Sequence, residues 1–144
     1  MYSEILVPTD GSPASAAAID HAIDIAQQYD ARLHALYVVD GAAYSTLEAG
    51  AEIVVDALET EGTKATDHVA ERAGEAGVDC TTMVTTGTAY RTISEYVEDN
   101  EIDLVVMGTH GRRGLDRYLL GSVTERVVRT ADVPVLTVRQ PADE

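Results

Sequence analysis

A chain of 144 residues, 45% of them hydrophobic, is long enough for one globular domain with its own core, so we treat residues 1–144 as a single domain. Its formal net charge of −15, from 25 acidic and 10 basic residues, opposes binding to nucleic acid and to anionic membranes. The single cysteine, Cys80, excludes an internal disulfide and a cysteine-cluster metal site.

Composition and the first residues also predict a location. The opening MYSEILVPTDGS has neither a basic segment nor a cleavage motif, so we expect no signal peptide and a cytoplasmic protein. No apolar run approaches the ~20 residues of a membrane span. The acidic, lysine-poor composition, with Lys64 as the one lysine, suits a halophile-like, high-salt cytoplasm because salt screens self-repulsion.

The first half of the chain predicts two strand–helix units. The apolar run Ile5–Pro8 predicts a buried strand, and a helix is predicted over Pro13–Tyr29 with Ser12 as its N-cap. Arg32–Val39 predicts the second strand, and Leu47–Ala76 predicts a long helix. Two glycines, each costing roughly 1 kcal/mol in a helix interior, favour a late start or a break in this helix: Gly50 and Gly62.

The third strand and the fourth differ in their pattern. Val78–Thr85 alternates apolar and polar residues, which favours an edge strand with one wetter face. A helix is predicted over Ala89–Asn100. Leu104–Met107 is continuously apolar, which indicates a strand in the interior of the sheet.

The last helix and the last strand carry two positional signals. Ser122-Val-Thr-Glu125 has the pattern of a capping box, with serine at N-cap and glutamate at N3, and predicts a helix to about Ala131. Val133–Val138 predicts a strand, and Pro134 places it at a sheet edge. The strict alternation of strands and helices predicts an α/β fold, an open parallel sheet with helices on both faces.

Ligands of such sheets bind beyond the carboxyl ends of the strands, where the strand order reverses. We expect the segments after the first, second and fourth strands to meet there: Pro8–Ser12, Val38–Asp40 and Gly108–Ser122. The first of these segments lacks the glycine pattern of a dinucleotide site and the Gly-Lys-Ser/Thr of a Walker loop. A receiver domain would need a lysine at a strand end, which is absent. The residue pattern neither supports nor excludes flavin mononucleotide as the ligand.

The segment after the fourth strand has the composition of a phosphate site. Its glycines allow close backbone approach to a ligand, and the helix at Ser122 offers unpaired N–H groups. Three arginines in the same loop suit bidentate phosphate contacts: Arg112, Arg113 and Arg117. Pairing with surface carboxylates such as Asp116 is the alternative for them.

His110 in this loop has either a functional or a purely conformational role, and the other histidines show no metal-ligand spacing and are expected to be structural: His21, His34 and His68.

The pattern Gly108-x2-Gly111-x9-Gly121-Ser122 resembles the ATP-binding signature of the universal stress protein family. The opening Ile5-Leu-Val-Pro-Thr-Asp10-Gly-Ser resembles that family's first strand and loop, and Val133–Val138 resembles its final strand. These matches span the whole chain in the right order. The resemblance implies a Rossmann-like domain of the adenine-nucleotide-binding type, with strand order 3-2-1-4-5, that forms homodimers through Val133–Val138.

The resemblance also implies roles for individual residues in an ATP site. Residues at the strand ends would surround adenine and ribose, with a possible metal contact from Asp10: Pro8, Thr9, Asp10, the Val39 backbone, Met107 and Gly108. The glycine loop and the last helix would hold the phosphates together with Mg²⁺ or Mn²⁺: Gly111, Gly121, Ser122, Val123 and Thr124. From the loop composition we add three further contacts: His110, Arg112 and Arg113.

Three functions remain open at this point. The favoured one is an ATP-binding stress-response or signalling protein, a dimeric nucleotide-dependent switch whose protein partner the sequence does not name. Little or no turnover is expected because neither Asp10 nor His110 has an evident group to orient it for hydrolysis. The second is a slow ATPase or a nucleotidyl-transfer relative, although the first loop lacks a further catalytic motif. The third is a nucleotide-free dimeric adaptor in which the glycine loop is structural.

Overall fold

Strands and helices alternate along the chain in the predicted order. The computed structural model describes residues 1–39, 51–109 and 121–139. The predicted loop after the second strand and the first residues of the following helix, 40–50, lie outside the described residues. The elements are β1 (Glu4–Pro8), α1 (Pro13–Tyr29), β2 (Arg32–Val39), α2 (Ala51–Glu75), β3 (Cys80–Thr86), α3 (Ala89–Asp99), β4 (Leu104–Gly108), α4 (Ser122–Thr130) and β5 (Val135–Val138).

The strands form one parallel sheet in the order β3-β2-β1-β4-β5, as predicted. The chain builds outward from β1 to β3 and then returns to the other side of β1 to add β4 and β5. The strand order therefore reverses between β1 and β4, whose carboxyl ends lie side by side. The two predicted edge strands, β3 and β5, are the two edges of the sheet.

Helices cover both faces of the sheet and bury a separate apolar core on each. Side chains of successive strand residues point to opposite faces, so Ile5 and Val7 pack with α1 and α2, whereas Leu6 packs with α3 and α4. The interior strand β4 is buried on both faces from Leu104 to Met107, which accounts for its continuous hydrophobicity. No described helix is long and apolar enough to cross a membrane.

The long helix α2 continues through Gly62, so the predicted break at this residue is wrong. A Cβ at this position would lie 2.6 Å from the Tyr37 ring of β2. Glycine therefore permits α2 to pack closely on the sheet, and this packing outweighs the roughly 1 kcal/mol that glycine costs in a helix interior.

The third strand starts two residues later than predicted, at Cys80 instead of Val78. Gly77 takes up a left-handed conformation with φ 74°. The N–H of Val78 then donates to the Ala73 carbonyl at 2.8 Å and closes the carboxyl end of α2. Val78 thus belongs to the helix ending, and the strand can start only after it.

His34 is buried, 5% exposed, at the amino end of the sheet. Its Nδ1 lies 2.8 Å from the Tyr96 hydroxyl and its Nε2 lies 2.7 Å from Glu4 Oε1. Both ring nitrogens thus have a partner, and the ring joins β1, β2 and α3. This confirms a structural role for His34, and the other two described histidines, His21 and His68, are exposed on helices as expected.

We expect Tyr96→Phe to lower the free energy of unfolding by about 1–3 kcal/mol, because buried His34 would lose its partner at Nδ1. Burial raises the pKa of the Tyr96 phenol, with smaller contributions from Cys80 and Glu4. A raised folded-state pKa contributes stability below the ordinary tyrosine value of about 10, and this contribution is lost as the pH rises through the folded-state pKa.

Urea unfolding at several alkaline pH values measures both effects. The wild type should lose stability above pH ~10 by a component that Tyr96→Phe lacks. Tyr29→Phe, at a phenol with 46% exposure, is the control and should leave stability nearly unchanged. Equal losses in the two variants would contradict the buried hydrogen bond.

Candidate functional site

A closed set of hydrogen bonds holds Asp10 at the carboxyl end of β1. Asp10 Oδ1 accepts from the Ser12 N–H at 2.9 Å and from the Ser15 hydroxyl at 2.7 Å. The Asp10 N–H in turn donates to Ser15 Oγ at 3.2 Å. Gly11 turns the chain with φ 79°, and its N–H donates to Thr9 Oγ1 at 3.2 Å. The carboxylate of Asp10 is therefore fixed where the strand order reverses.

The amino end of α1 begins as the sequence predicted. Ser12 has extended backbone, its Oγ accepts from the Ser15 N–H at 3.3 Å, and Pro13 occupies the first helical position. The first turn of α1 lies against the end of β4, where a Cβ on Gly108 would meet the Ala14 carbonyl oxygen at 2.9 Å. Gly108 is thus required for close backbone packing, a role that adds to its predicted place in the site.

The amino end of α4 differs from the prediction. Gly121, with φ −61° and ψ 153°, is the N-cap and Ser122 is the first helical residue, so the capping box is wrong. The Gly121 N–H donates to the Thr109 carbonyl at 2.6 Å and holds Gly121 extended. The helix therefore begins at Ser122, one residue earlier than it would if Ser122 were the N-cap. Glu125 does not reach back to the helix start; it pairs with Arg129 on the surface.

With glycine at the N-cap, no side chain of the described residues caps the first turn of α4. Its N–H groups belong to Ser122, which is exposed, to half-buried Val123 and to buried Thr124. The Thr124 hydroxyl donates to the Gly108 carbonyl at 2.8 Å and ties α4 to β4. The donors available to a ligand are thus the backbone N–H groups, at the electropositive end of the helix dipole.

The remaining predicted residues that the structure describes lie at the same carboxyl edge. Buried Thr9 follows Pro8 and donates its N–H to the Leu36 carbonyl at 2.8 Å. Val39 ends β2, is 1% exposed, and its carbonyl accepts from the Gly87 N–H at 2.9 Å. Met107 packs in the core between the sheet and the helices α3 and α4, so its side chain supports the site from the interior of the protein.

Four predicted contacts lie outside the described residues: His110, Gly111, Arg112 and Arg113.

Sequence reasoning missed Ser15. Its hydroxyl contacts Asp10, yet it sits in a helix whose other buried residues are alanine and isoleucine. A lone serine on that apolar face is the signal that points to it, because a buried hydroxyl needs a hydrogen-bond partner.

A divalent cation at this edge would need ligands beyond the protein. Among the described residues, no group of three or more His, Cys, Asp or Glu side chains could hold a metal ion. Asp10 offers one carboxylate. This fits Mg²⁺ bound as a nucleotide complex, because Mg²⁺ typically takes one or two carboxylates and completes its shell with phosphate oxygens and water.

Comparison with known proteins identifies the family. The model of the Universal stress protein family matches residues 1–139. The whole chain aligns with Universal stress protein MJ0531 of Methanocaldococcus jannaschii at 43% identity, and the match covers 86% of that protein. The chain belongs to the universal stress protein family.

Solved structures of other universal stress proteins share its fold. UspA from Lactobacillus plantarum is 35% identical and aligns with a TM-score of 0.88 over 96% of this chain and 98% of its own. A universal stress protein solved in complex with cAMP is 27% identical, with a TM-score of 0.76 over 97% of this chain and 99% of its own. The resemblance to the family and the predicted strand order are both confirmed.

Gly108→Ala should lower the free energy of unfolding of this universal stress protein by about 1–3 kcal/mol, the usual range for overpacking. The added methyl group would meet the Ala14 backbone, which cannot rotate away as a flexible side chain can. Urea unfolding measures the change. The matched control is Gly74→Ala in α2, where nothing lies within 4 Å of the new Cβ, so stability should be unchanged or higher by up to about 1 kcal/mol. A Gly108→Ala protein as stable as the wild type would show that the two backbones are not in contact.

Proposed function

We propose that this universal stress protein binds an adenine nucleotide, ATP with Mg²⁺ or Mn²⁺, at the carboxyl edge between β1 and β4. Bound nucleotide would make it a dimeric switch in a stress response or in signalling, with little or no turnover. The observation that carries the proposal is the first turn of α4, which no side chain of the described residues caps and which Thr124 holds against the end of β4, the neighbour of β1. The homologue in complex with cAMP supports an adenine nucleotide as the ligand class.

The charges around this edge favour a metal–nucleotide complex over the free nucleotide. A chain with net charge −15 repels an anion at long range, so binding depends on local groups. The N–H groups of α4 supply partial positive charge. The Asp10 carboxylate adds negative charge, which repels a phosphate unless a cation lies between them. Asp10 therefore suits a site where Mg²⁺ or Mn²⁺ enters with the phosphates.

The geometry around Asp10 favours binding without rapid hydrolysis. Hydrolysis needs a group that takes a proton from water or orients it. Asp10 Oδ1 already accepts two hydrogen bonds, and no described histidine or lysine contacts this carboxylate. Nucleotide would accordingly be held long enough for occupancy, rather than turnover, to be the signal.

Gly121→Val tests the phosphate end of the site. A β-branched side chain at the N-cap would crowd the first-turn N–H groups of α4, and valine is a poor N-cap residue. We expect the affinity for Mg·ATP, measured by isothermal titration calorimetry, to fall about tenfold or more, a loss of about 1.4 kcal/mol or more of binding free energy. Circular dichroism should show an unchanged fold. Gly74→Val, at an open position of α2, is the matched control and should bind as the wild type does.

Native mass spectrometry of the freshly purified wild type complements the titration. Co-purified adenine nucleotide would support the proposal. A protein that stays empty and shows no heat with ATP, AMP or cAMP would instead be a nucleotide-free adaptor. Normal ATP binding by Gly121→Val would mean that the site lies elsewhere. Phosphate release at a rate typical of enzymes, abolished by Asp10→Ala, would make the protein an ATPase.

The homodimer is proposed through the edge strand β5. No strand of the described residues pairs with its outer side, it contains no lysine to discourage pairing, and Leu136 is 36% exposed. Val128 is a second exposed apolar residue, on α4, the helix that contacts β5. A second β5 added edge to edge would continue the sheet and cover these groups.

Leu136→Lys should dissociate the dimer, because a lysine on an edge strand opposes strand pairing and adds like charge across the interface. Sedimentation equilibrium or light scattering measures the mass. Met83→Lys is the matched control, since Met83 is 43% exposed on β3, the opposite edge of the sheet. It should leave the dimer intact. A monomeric wild type, or dissociation by Met83→Lys alone, would refute dimerisation through β5.

A further inference from the structure

Ser15 is the one polar residue on the buried face of α1. It occupies the third helical position and is 6% exposed, while its buried neighbours in the helix are alanines and isoleucines. Alanine would be the better helix former here. A serine at such a position must find partners inside the protein, and all of its partners lie in the loop that carries Asp10.

The chemistry of its partners assigns the hydroxyl proton of Ser15. The Ser15 hydroxyl has a single proton and two acceptor lone pairs. Its proton goes to Asp10 Oδ1, at 2.7 Å, because an ionised carboxylate can only accept. The lone pairs then accept from the Asp10 N–H and from the Ser12 hydroxyl, at 3.2 and 3.4 Å. Every hydrogen-bonding capacity of Ser15 is used on the segment before its own helix.

The two oxygens of the Asp10 carboxylate are consequently in different situations. Oδ1 accepts from the Ser12 N–H and from Ser15, which uses both of its lone pairs. Within the described part of the chain, no donor contacts Oδ2. The carboxylate is thus held through one oxygen, and the other is the one available to a ligand.

We infer that Ser15 is a positioning residue for metal–nucleotide binding: it holds the Asp10 carboxylate by Oδ1 so that Oδ2 serves a divalent cation bound with the nucleotide. This inference rests on the proposed function. Ser15 itself touches neither the cation nor the nucleotide. Its effect is on the orientation of Asp10, as hydrogen-bond partners of metal ligands generally act.

The test compares ATP binding with Mg²⁺ and with EDTA, by calorimetry, in four proteins: the wild type, Ser15→Ala, Asp10→Asn and the double variant. The wild type should bind ATP more tightly with Mg²⁺. Ser15→Ala should reduce this enhancement by about tenfold, with the affinity in EDTA unchanged. Asp10→Asn should remove the enhancement and leave binding in EDTA equal or tighter, because a repelling charge is gone. In the double variant, Ser15→Ala should have no further effect, because it acts through Asp10.

A matched control separates positioning from stability. Thr66→Val also removes a buried helix hydroxyl, but Thr66 donates to the Gly62 carbonyl of its own helix. It should leave the Mg²⁺ enhancement unchanged, and urea unfolding of all variants shows whether stability follows the binding results. Alanine at position 15 is expected to fold, because it is a good helix former and Asp10 keeps the Ser12 N–H.

The outcomes distinguish this inference from the proposed function. An unchanged enhancement in Ser15→Ala, or an equal reduction in the Asp10→Asn background, would overturn the role of Ser15 while nucleotide binding stands. A wild type that binds ATP equally well with Mg²⁺ and with EDTA would overturn it as well. A wild type that binds no nucleotide under either condition would refute both.

Discussion

The close contact between the end of β4 and the first turn of α1 determines how this edge of the molecule is built. A Cβ placed on Gly108 would lie 2.9 Å from the Ala14 carbonyl oxygen, so the backbones of β4 and α1 are in direct contact there. The contact places the loop after β1, with Asp10, directly beside the end of β4. The Gly108 carbonyl then accepts from Thr124, and the next carbonyl, Thr109, accepts from Gly121. Both ends of the proposed site thus depend on one short strand end.

The fold could be predicted from the sequence because it follows from patterns that act over a few residues. Leu104–Met107 is apolar throughout because both faces of β4 are buried, and Pro134 lies beside an edge strand where a missing donor matters little. The start of α1 is predictable for the same reason, because Ser12 and Pro13 stabilise only the first turn that they belong to. Strand order is not local in this way, and it was predicted through the family resemblance.

The details of the site could not be predicted because they depend on contacts between distant segments. The sequence places a good cap at Ser122, but the hydrogen bond from Gly121 to Thr109 begins the helix one residue earlier. The serine at position 15 signals a buried partner, but only the fold shows that this partner is Asp10. Local preference is outweighed wherever a backbone group finds a better partner across the fold.

Gly62 of α2 and the Tyr37 ring of β2 are in contact, although they lie 25 residues apart in the sequence. The residues allowed at these two positions therefore depend on each other. An aromatic ring at position 37 requires glycine at position 62, because even a methyl group there would overlap the ring. A smaller residue at position 37 would remove that restriction and let alanine, with its better helix propensity, occupy position 62. In related chains, the two positions should therefore change together rather than singly.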